Sequence, residues 1–195
     1  MTTMIAKQKA DSYLSLWEIP PGYLNITGML NNYSPDSGIS SWGVVWLQGC
    51  MRNCINCSNS RSQSFAIDRL ISVDSLAKII INPHNRGVTF SGGEPFWQAP
   101  ALVELAKQAK TVGLNVMAFS CFSLERLQSP YAPAKSRELL EQLDVLVENS
   151  YMESIPIDSQ EFILSQKRRA HIFDPGLKAS MSNYLRMVYS IEDFV

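Results

Sequence analysis

The chain has 195 residues, 46% of them hydrophobic and 18% charged, with a net charge of −1. That length and apolar share suit one domain with a substantial core, and the balanced charge argues against both nucleic acid and a strongly cationic partner. Residues 1–20 hold no signal-peptide core and no apolar run nears membrane-spanning length, so the expected setting is the cytoplasm, without membrane contact, where thiols stay reduced.

Residues 1–23 mix charge with Pro20-Pro21 and read as an N-terminal extension ahead of a core domain over 24–195. Leu24 to Leu30 is read as a first strand, and Asn31 to Ser41 as a loop on its Asn, Ser, Pro, Asp and Gly content. Trp42 to Leu47 is an apolar strand. Ser72 is placed to cap a helix over Val73 to Ile81, whose Val73, Leu76, Ala77 and Ile80 share one face. Val88 to Phe90 is the next strand, and Pro100 opens a helix that Gly113 closes. Val116 to Phe119 and Val145 to Val147 are two further strands, separated by helical pieces over Ser123 to Leu127 and Ala134 to Leu143. Beyond Tyr151 the pattern weakens, with strands expected at Phe162 to Leu164, Ala170 to Phe173 and Tyr184 to Tyr189.

Val88, Met117 and Leu146 fall 29 residues apart. Strands alternating with helices at that pace imply parallel β-α units. The expected fold is α/β, a partial and open β/α barrel of parallel strands with about five to six units, since the chain is too short for eight. Ligands of such sheets bind beyond the carboxyl ends of the strands. The segments after the four strands are the cysteine loop, Ser91-Gly92-Gly93-Glu94, Ser120-Cys121 and Glu148-Asn149, and all four are expected on one rim.

Cys50, Cys54 and Cys57 follow the Trp42–Leu47 strand at C-x3-C-x2-C spacing. Three thiolates from one short loop suit a metal centre. Structural zinc wants a fourth protein ligand, whereas a cubane iron–sulfur cluster can be held by three cysteines if another group takes the fourth iron. The remaining cysteine, Cys121, lies 64 residues past Cys57 and belongs to no second motif. Val88 to Pro95 reads as a short strand running into a glycine turn, where Gly92 and Gly93 allow close approach and Glu94 offers a carboxylate to an ammonium group.

The two stretches, 34 residues apart from Cys57 to Ser91, together resemble the radical S-adenosylmethionine superfamily. There, C-x3-C-x2-C ligates a [4Fe-4S] cluster and G-G-E-P follows the next strand. The resemblance implies Cys50, Cys54 and Cys57 as cluster ligands and S-adenosylmethionine chelating the open iron. It implies cofactor contacts from Ile55, Asn56, Ser91, Gly92, Gly93, Glu94, Ser120 and Glu148, with no further catalytic side chain. Val45-Trp46-Leu47-Gln48-Gly49-Cys50, Thr89 to Pro95, Asp144 to Val147, Ser123 to Leu127 and, faintly, Ser165 to Arg168 are similar to the activating enzymes of glycyl radical enzymes, above all the anaerobic ribonucleotide reductase type. That likeness implies a glycyl radical enzyme as partner. With no second cysteine cluster, it implies an external electron donor such as a flavodoxin or ferredoxin.

The chain departs from that pattern at Trp42, where an arginine is usual, at Asn56, at Ser58 and at Cys121. Two other functions therefore stay open: a radical enzyme acting on a peptide or small molecule, and a zinc-binding adaptor without catalysis. Several residues also have plain readings. Cys121 suits a small buried thiol; His84 and His171 suit surface or packing positions; Trp42, Trp46 and Trp97 suit the core, with Trp97 near enough to Glu94 to line a cavity. Lys167-Arg168-Arg169 suits a solvated face or an acidic partner, and Glu148 either a strand-end charge or a cofactor contact.

Overall fold

The 29-residue pace of Val88, Met117 and Leu146 corresponds to three adjacent parallel strands in a computed structural model of the chain. The structure describes residues 18–33, 42–52, 54, 57, 59–81, 85–150, 167–189 and 193–194. In chain order the strands are β1 (Tyr23–Tyr33), β2 (Trp42–Leu47), β3 (Arg69–Ser72), β4 (Gly87–Gly92), β5 (Asn115–Ser120), β6 (Val145–Ser150), β7 (Lys167–Ile172) and β8 (Asp193–Phe194). The helices are α1 (Val73–Ile80), α2 (Ala99–Thr111), α3 (Leu124–Gln128), α4 (Ser136–Leu140) and α5 (Lys178–Tyr189).

All eight strands form one sheet in the order β3-β1-β2-β4-β5-β6-β7-β8. The run β2-β4-β5-β6 is parallel, whereas β1 pairs antiparallel with β2 and β3, and β7 antiparallel with β6. The expectation of five to six parallel β-α units is thus met only in part: the described strands supply three consecutive parallel steps, from β2 to β4, β4 to β5 and β5 to β6, and β8 adds a short parallel pairing to β7 at the edge. One cause is connection length. Only residues 34–41 separate β1 from β2, too few for the crossover that a parallel neighbour needs. The end strands β3 and β8 stand at opposite edges, so the described sheet is open and no barrel closes.

Strand alternation divides the core. Val116, Ala118 and Leu146 point into a cluster with Val88, Phe90, Leu102, Leu105, Leu76 and Ile80, under α1 and α2. Their strand neighbours Met117, Val145 and Val147 point the other way, into a cluster with Trp42, Ala170, Met181 and Leu185 of α5. Burying each such large side chain contributes about 1.5–3 kcal/mol, which is why the register of the central strands resists a one-residue slip.

Local chemistry sets the helix ends. The Ser72 hydroxyl accepts from the Ser75 N–H to cap α1, and the Ser123 hydroxyl does the same for α3 from Arg126. Gly113 follows α2 with φ of 81°, a conformation that glycine adopts without strain.

Three expectations need correction. Asn31 to Tyr33, expected to open a loop, continue strand β1 and pair with β2 as far as Trp42. Tyr184 to Tyr189 is not a strand but the second half of α5, where Met181 and Leu185, four residues apart, turn one face to the sheet. Arg69 to Ser72, expected in no element, is the edge strand β3; it is largely exposed, so no apolar alternation marked it. Residues 1–17, the Asn31–Ser41 loop beyond Tyr33, Phe162 to Leu164 and Ser165-Gln166 lie outside the described residues, as does His84.

Trp42 is a core residue, 4% exposed, and its ring lies against Gly87, its pairing partner on β4. A β-carbon at Gly87 would stand against Trp42 Cζ3, well inside contact distance. Gly87→Ala is therefore expected to destabilise the protein by about 1–3 kcal/mol through overpacking, read as a lower urea midpoint with an unchanged slope.

Candidate metal and cofactor site

The parallel register brings the carboxyl ends of β2, β4, β5 and β6 to one end of the sheet: Leu47 pairs Gly92, and Ser120 pairs Glu148. The three cysteines follow β2. Residues 91–94 close β4, Ser120-Cys121 closes β5, and Glu148 stands in the second half of β6.

Backbone contacts join the two sequence motifs. Gly93 N–H donates to Leu47 O at 2.8 Å and Glu94 N–H to Gly49 O at 2.9 Å. Gly92 has φ of 96°. A β-carbon there would stand 2.6 Å from the Leu47 backbone, and one on Gly93 would reach the Gly49 carbonyl and stand 2.8 Å from Ser62 O. Both glycines are thus required by another stretch of this chain. They let the turn after β4 lie directly on the entrance to the cysteine loop. The far side of that loop is held as well, since Gly49 N–H donates to Ser62 O, Cys50 N–H to Gln63 O, and Gln63 Nε2 to Cys54 O.

A buried amide network stands behind the loop. Gln98 Nε2 donates to Asn25 O at 2.8 Å and to Gln48 O at 3.0 Å, while its Oε1 accepts from Asn25 N–H. The Asn25 side chain donates to Ala66 O and accepts from Asp68 and Arg69. Asn25 in β1 and Gln98, four residues past Glu94, therefore fix the spacing between the strand that enters the cysteine loop and the segment that returns from it. Reading the sequence for ligands missed both. The available signal was a polar residue inside an apolar strand, Asn25 between Leu24 and Ile26, all three fully buried.

Glu94 is the electrostatic centre of the turn, with 0% exposure. Its Oε1 accepts from Phe96 N–H and Ser120 Oγ, both at 3.0 Å, and its Oε2 from Cys121 N–H at 2.6 Å. Burial pushes its carboxyl up, against hydrogen bonds from Cys121, Phe96 and Ser120 that favour the charged form. Trp97, in the turn Pro95–Gln98, presents a buried indole N–H with no partner among the described residues, and its ring meets Phe122 edge-on at 5.7 Å.

The four cysteines are free and half-buried. The neighbouring Cys121 thiol is the main cause holding Cys50 below the ordinary thiol range, with burial opposing it. The same contact, then burial, pushes Cys121 up. Cys54 is raised by burial first and then by the neighbouring Cys50 and Cys57 thiolates. Cys54 thus feels the charge of the other two loop sulfurs, a repulsion that a bound cation relieves. Among the described residues, no three His, Cys, Asp or Glu side chains meet closely enough to hold a single metal ion. Soft sulfur donors with no oxygen or imidazole among them suit iron–sulfur or zinc chemistry.

Glu148 is buried, with 1% of its side chain exposed, and its partners belong to the chain. It accepts from Leu124 N–H at 2.6 Å, lies 3.5 Å from Arg169 Nη1, and stands 3.2 Å from His171 Nε2 without hydrogen-bond alignment. Glu148 thus anchors the start of α3 to β7, and His171, stacked on Phe173, belongs to the packing of that corner. Ile55 and Asn56 lie outside the described residues, as does Ser58. Ser91 closes β4 beside Trp46 of β2, and Ser120 bonds Glu94. The structure therefore brings Cys50, Cys121, Glu94 and Ser120 into direct contact and sets Glu148 one strand away.

Two substitutions test this construction. Gly93→Ala is expected to leave the circular dichroism spectrum intact while lowering iron uptake on reconstitution severalfold, because its β-carbon displaces the Gly49 carbonyl. Gln98→Leu leaves Asn25 N–H and Gln48 O without their buried partner and is expected to cost about 2–4 kcal/mol in urea denaturation.

Among the described residues, no helix is long and apolar enough to cross a membrane. Residues 37–171 match the 4Fe-4S single cluster domain family. A pyruvate formate-lyase-activating enzyme of Staphylococcus epidermidis is 30% identical over 79 residues, 37% of this chain and 32% of that one. A putative glycyl-radical enzyme activating enzyme of Haemophilus influenzae is 34% identical over 93 residues, 44% of this chain and 36% of that one. The chain thus spans about a third of the length of the curated relatives it matches. The crystal structure of QueE from Escherichia coli superposes with a TM-score of 0.44 at 12% identity, over 94% of this chain and 86% of that one, too distant to add to the assignment. The family match covers well over half of the chain and contains both the cysteine loop and the glycine turn: the chain belongs to the 4Fe-4S single cluster domain family, within the radical S-adenosylmethionine superfamily.

Proposed function

We propose that this protein binds one [4Fe-4S] cluster through Cys50, Cys54 and Cys57, cleaves S-adenosylmethionine reductively, and installs a glycyl radical on a partner enzyme. The observation that carries the reading is the contact between the two motifs: a three-cysteine loop seated on a glycine turn whose buried carboxylate reaches the end of the next parallel strand. When bound, the cluster and cofactor supply one-electron cleavage of the sulfonium C5′–S bond, giving a 5′-deoxyadenosyl radical.

The chain's own part is placement. Cys50, Cys54 and Cys57 present soft donors from one loop, and Ser62, Gln63 and the turn at Gly93 hold that loop from either side. Glu94 is the buried acceptor suited to the cofactor's amino end, three residues before Trp97, whose ring meets Phe122 edge-on. Ser120 orients the Glu94 carboxylate. The glycyl radical partner is inferred from the two activating-enzyme relatives, each matched over about a third of its length. The proposal includes an external reductant, such as a flavodoxin or ferredoxin, since the four cysteines of these 195 residues offer no second cluster motif.

Anaerobic reconstitution with iron and sulfide, then dithionite and S-adenosylmethionine, tests the reading. The expected product is a brown protein with a cubane EPR signal that forms 5′-deoxyadenosine and loses both on Cys54→Ala. A glycyl doublet on a co-purified partner would establish the activating role, whereas turnover stimulated by a small compound would favour the peptide or small-molecule alternative. A colourless protein holding one zinc and making no deoxyadenosine would sink the proposal.

A further inference from the structure

Three hydrogen bonds and a short run of chain close a ring at the rim of the site. Glu94 N–H donates to Gly49 O at 2.9 Å. Glu94 Oε2 accepts from Cys121 N–H at 2.6 Å, and the Cys121 carbonyl accepts from Arg52 Nη2 at 2.9 Å. From Arg52 the chain runs back through Met51 and Cys50 to Gly49, where the ring began. A cysteine of the loop and the buried Glu94 side chain thus belong to one closed circuit.

The Arg52 link is the long one. β2, which leads into the cysteine loop, and β5, which Cys121 follows, lie on either side of β4. The bond therefore passes the glycine turn after β4 and joins segments two strand spacings apart, roughly 9–10 Å. The loop's backbone bonds run elsewhere: Cys50 N–H donates to Gln63 O and Cys57 N–H to Cys54 O, while Gln63 Nε2 donates to Cys54 O. Of these contacts, the Arg52 bond alone reaches β5. Arginine suits that span, with a long stem and a planar fork of donors that holds its direction. Opened at Arg52, the ring would leave the loop free to swing about its start at Gly49, whose φ of 97° is a conformation that glycine adopts without strain.

We propose that Arg52 is a positioning residue: by closing this ring it fixes Cys50 relative to Glu94, so that S-adenosylmethionine can meet the open iron and the Glu94 side chain at once. The inference rests on the cluster and cofactor reading and adds the residue that sets the spacing between them. A ligand held at two points loses affinity when its anchors are not held at one spacing, because binding must then also order the loop.

Titration of the reconstituted, dithionite-reduced protein with S-adenosylmethionine, followed by EPR and with iron counted beforehand, tests this. Wild type, Arg52→Lys and Arg52→Met are expected to hold equal iron, since all three cysteines remain. In wild type the cofactor changes the cubane signal as it takes the open iron. Half of that change is expected at roughly tenfold higher cofactor concentration in Arg52→Met, which lacks the donor. Arg52→Lys, which keeps an N–H donor on an unbranched stem, is expected to fall between the two. Should methionine unfold the chain, as read by circular dichroism, Arg52→Gln takes its place, polar but too short to reach the carbonyl. Equal cofactor affinity in wild type and the non-bonding variant would overturn the proposal. So would loss of iron from that variant with its fold intact, which would make Arg52 a brace for the cluster alone. Both outcomes leave the cluster reading standing. A wild type without a cubane signal, or with one that ignores the cofactor, would overturn the two together.

Discussion

Two backbone hydrogen bonds, from Gly93 N–H to Leu47 O and from Glu94 N–H to Gly49 O, hold the entrance of the cysteine loop against the turn that follows β4. Each alone contributes about 1 kcal/mol. Their consequence is geometric. They extend the β2–β4 pairing past the end of the sheet, so the loop leaves β2 on a course set by its neighbour strand. No side chain larger than hydrogen fits at residues 92 and 93 while those bonds exist. The glycines of the turn are therefore explained first by chain packing, and any cofactor they serve meets a surface already shaped by that contact.

The polar groups around this contact form a graded support. Asn25 and Gln98 hold the strand ends behind it with amide bonds, which give fixed distances without placing charge in the interior. Glu94 is the buried carboxyl, raised by burial, and three protein hydrogens that converge on its two oxygens work against that shift. Cys121 and Arg52 then carry the arrangement across to β5. The site is thus spread over three parallel strands, and an error in register at any of them would move a sulfur or a carboxylate.

Much of this was legible beforehand because it rests on local rules. Helix α1 shows its cap and its apolar face within nine residues, and β2 was read with both its ends in place. The three parallel strands announced themselves by even spacing. Glu148 was legible only as a pair of alternatives. Its bond to Leu124 N–H and its proximity to Arg169 and His171 favour an internal anchor, and those partners come from elements up to 24 residues away. Helix α5 was misread because its aromatic and branched residues favour a strand locally, while packing of Met181 and Leu185 on the sheet decides otherwise.

The sequence by itself determined the chemistry: the spacing of three soft ligands, and a glycine turn with one carboxylate, are covalent facts that no packing alters. It also determined the alternation of β2, β4, β5 and β6 with helices, since periodicity is a local property. Only the tertiary structure decided that β1 runs antiparallel to β2 and β3, and β7 antiparallel to β6, because strand direction depends on where the chain returns. It alone set Cys121, 71 residues from Cys50 in the chain, against the first cysteine of the loop. A contact of that kind leaves no periodic trace, for it exists only once parallel strands place their ends side by side.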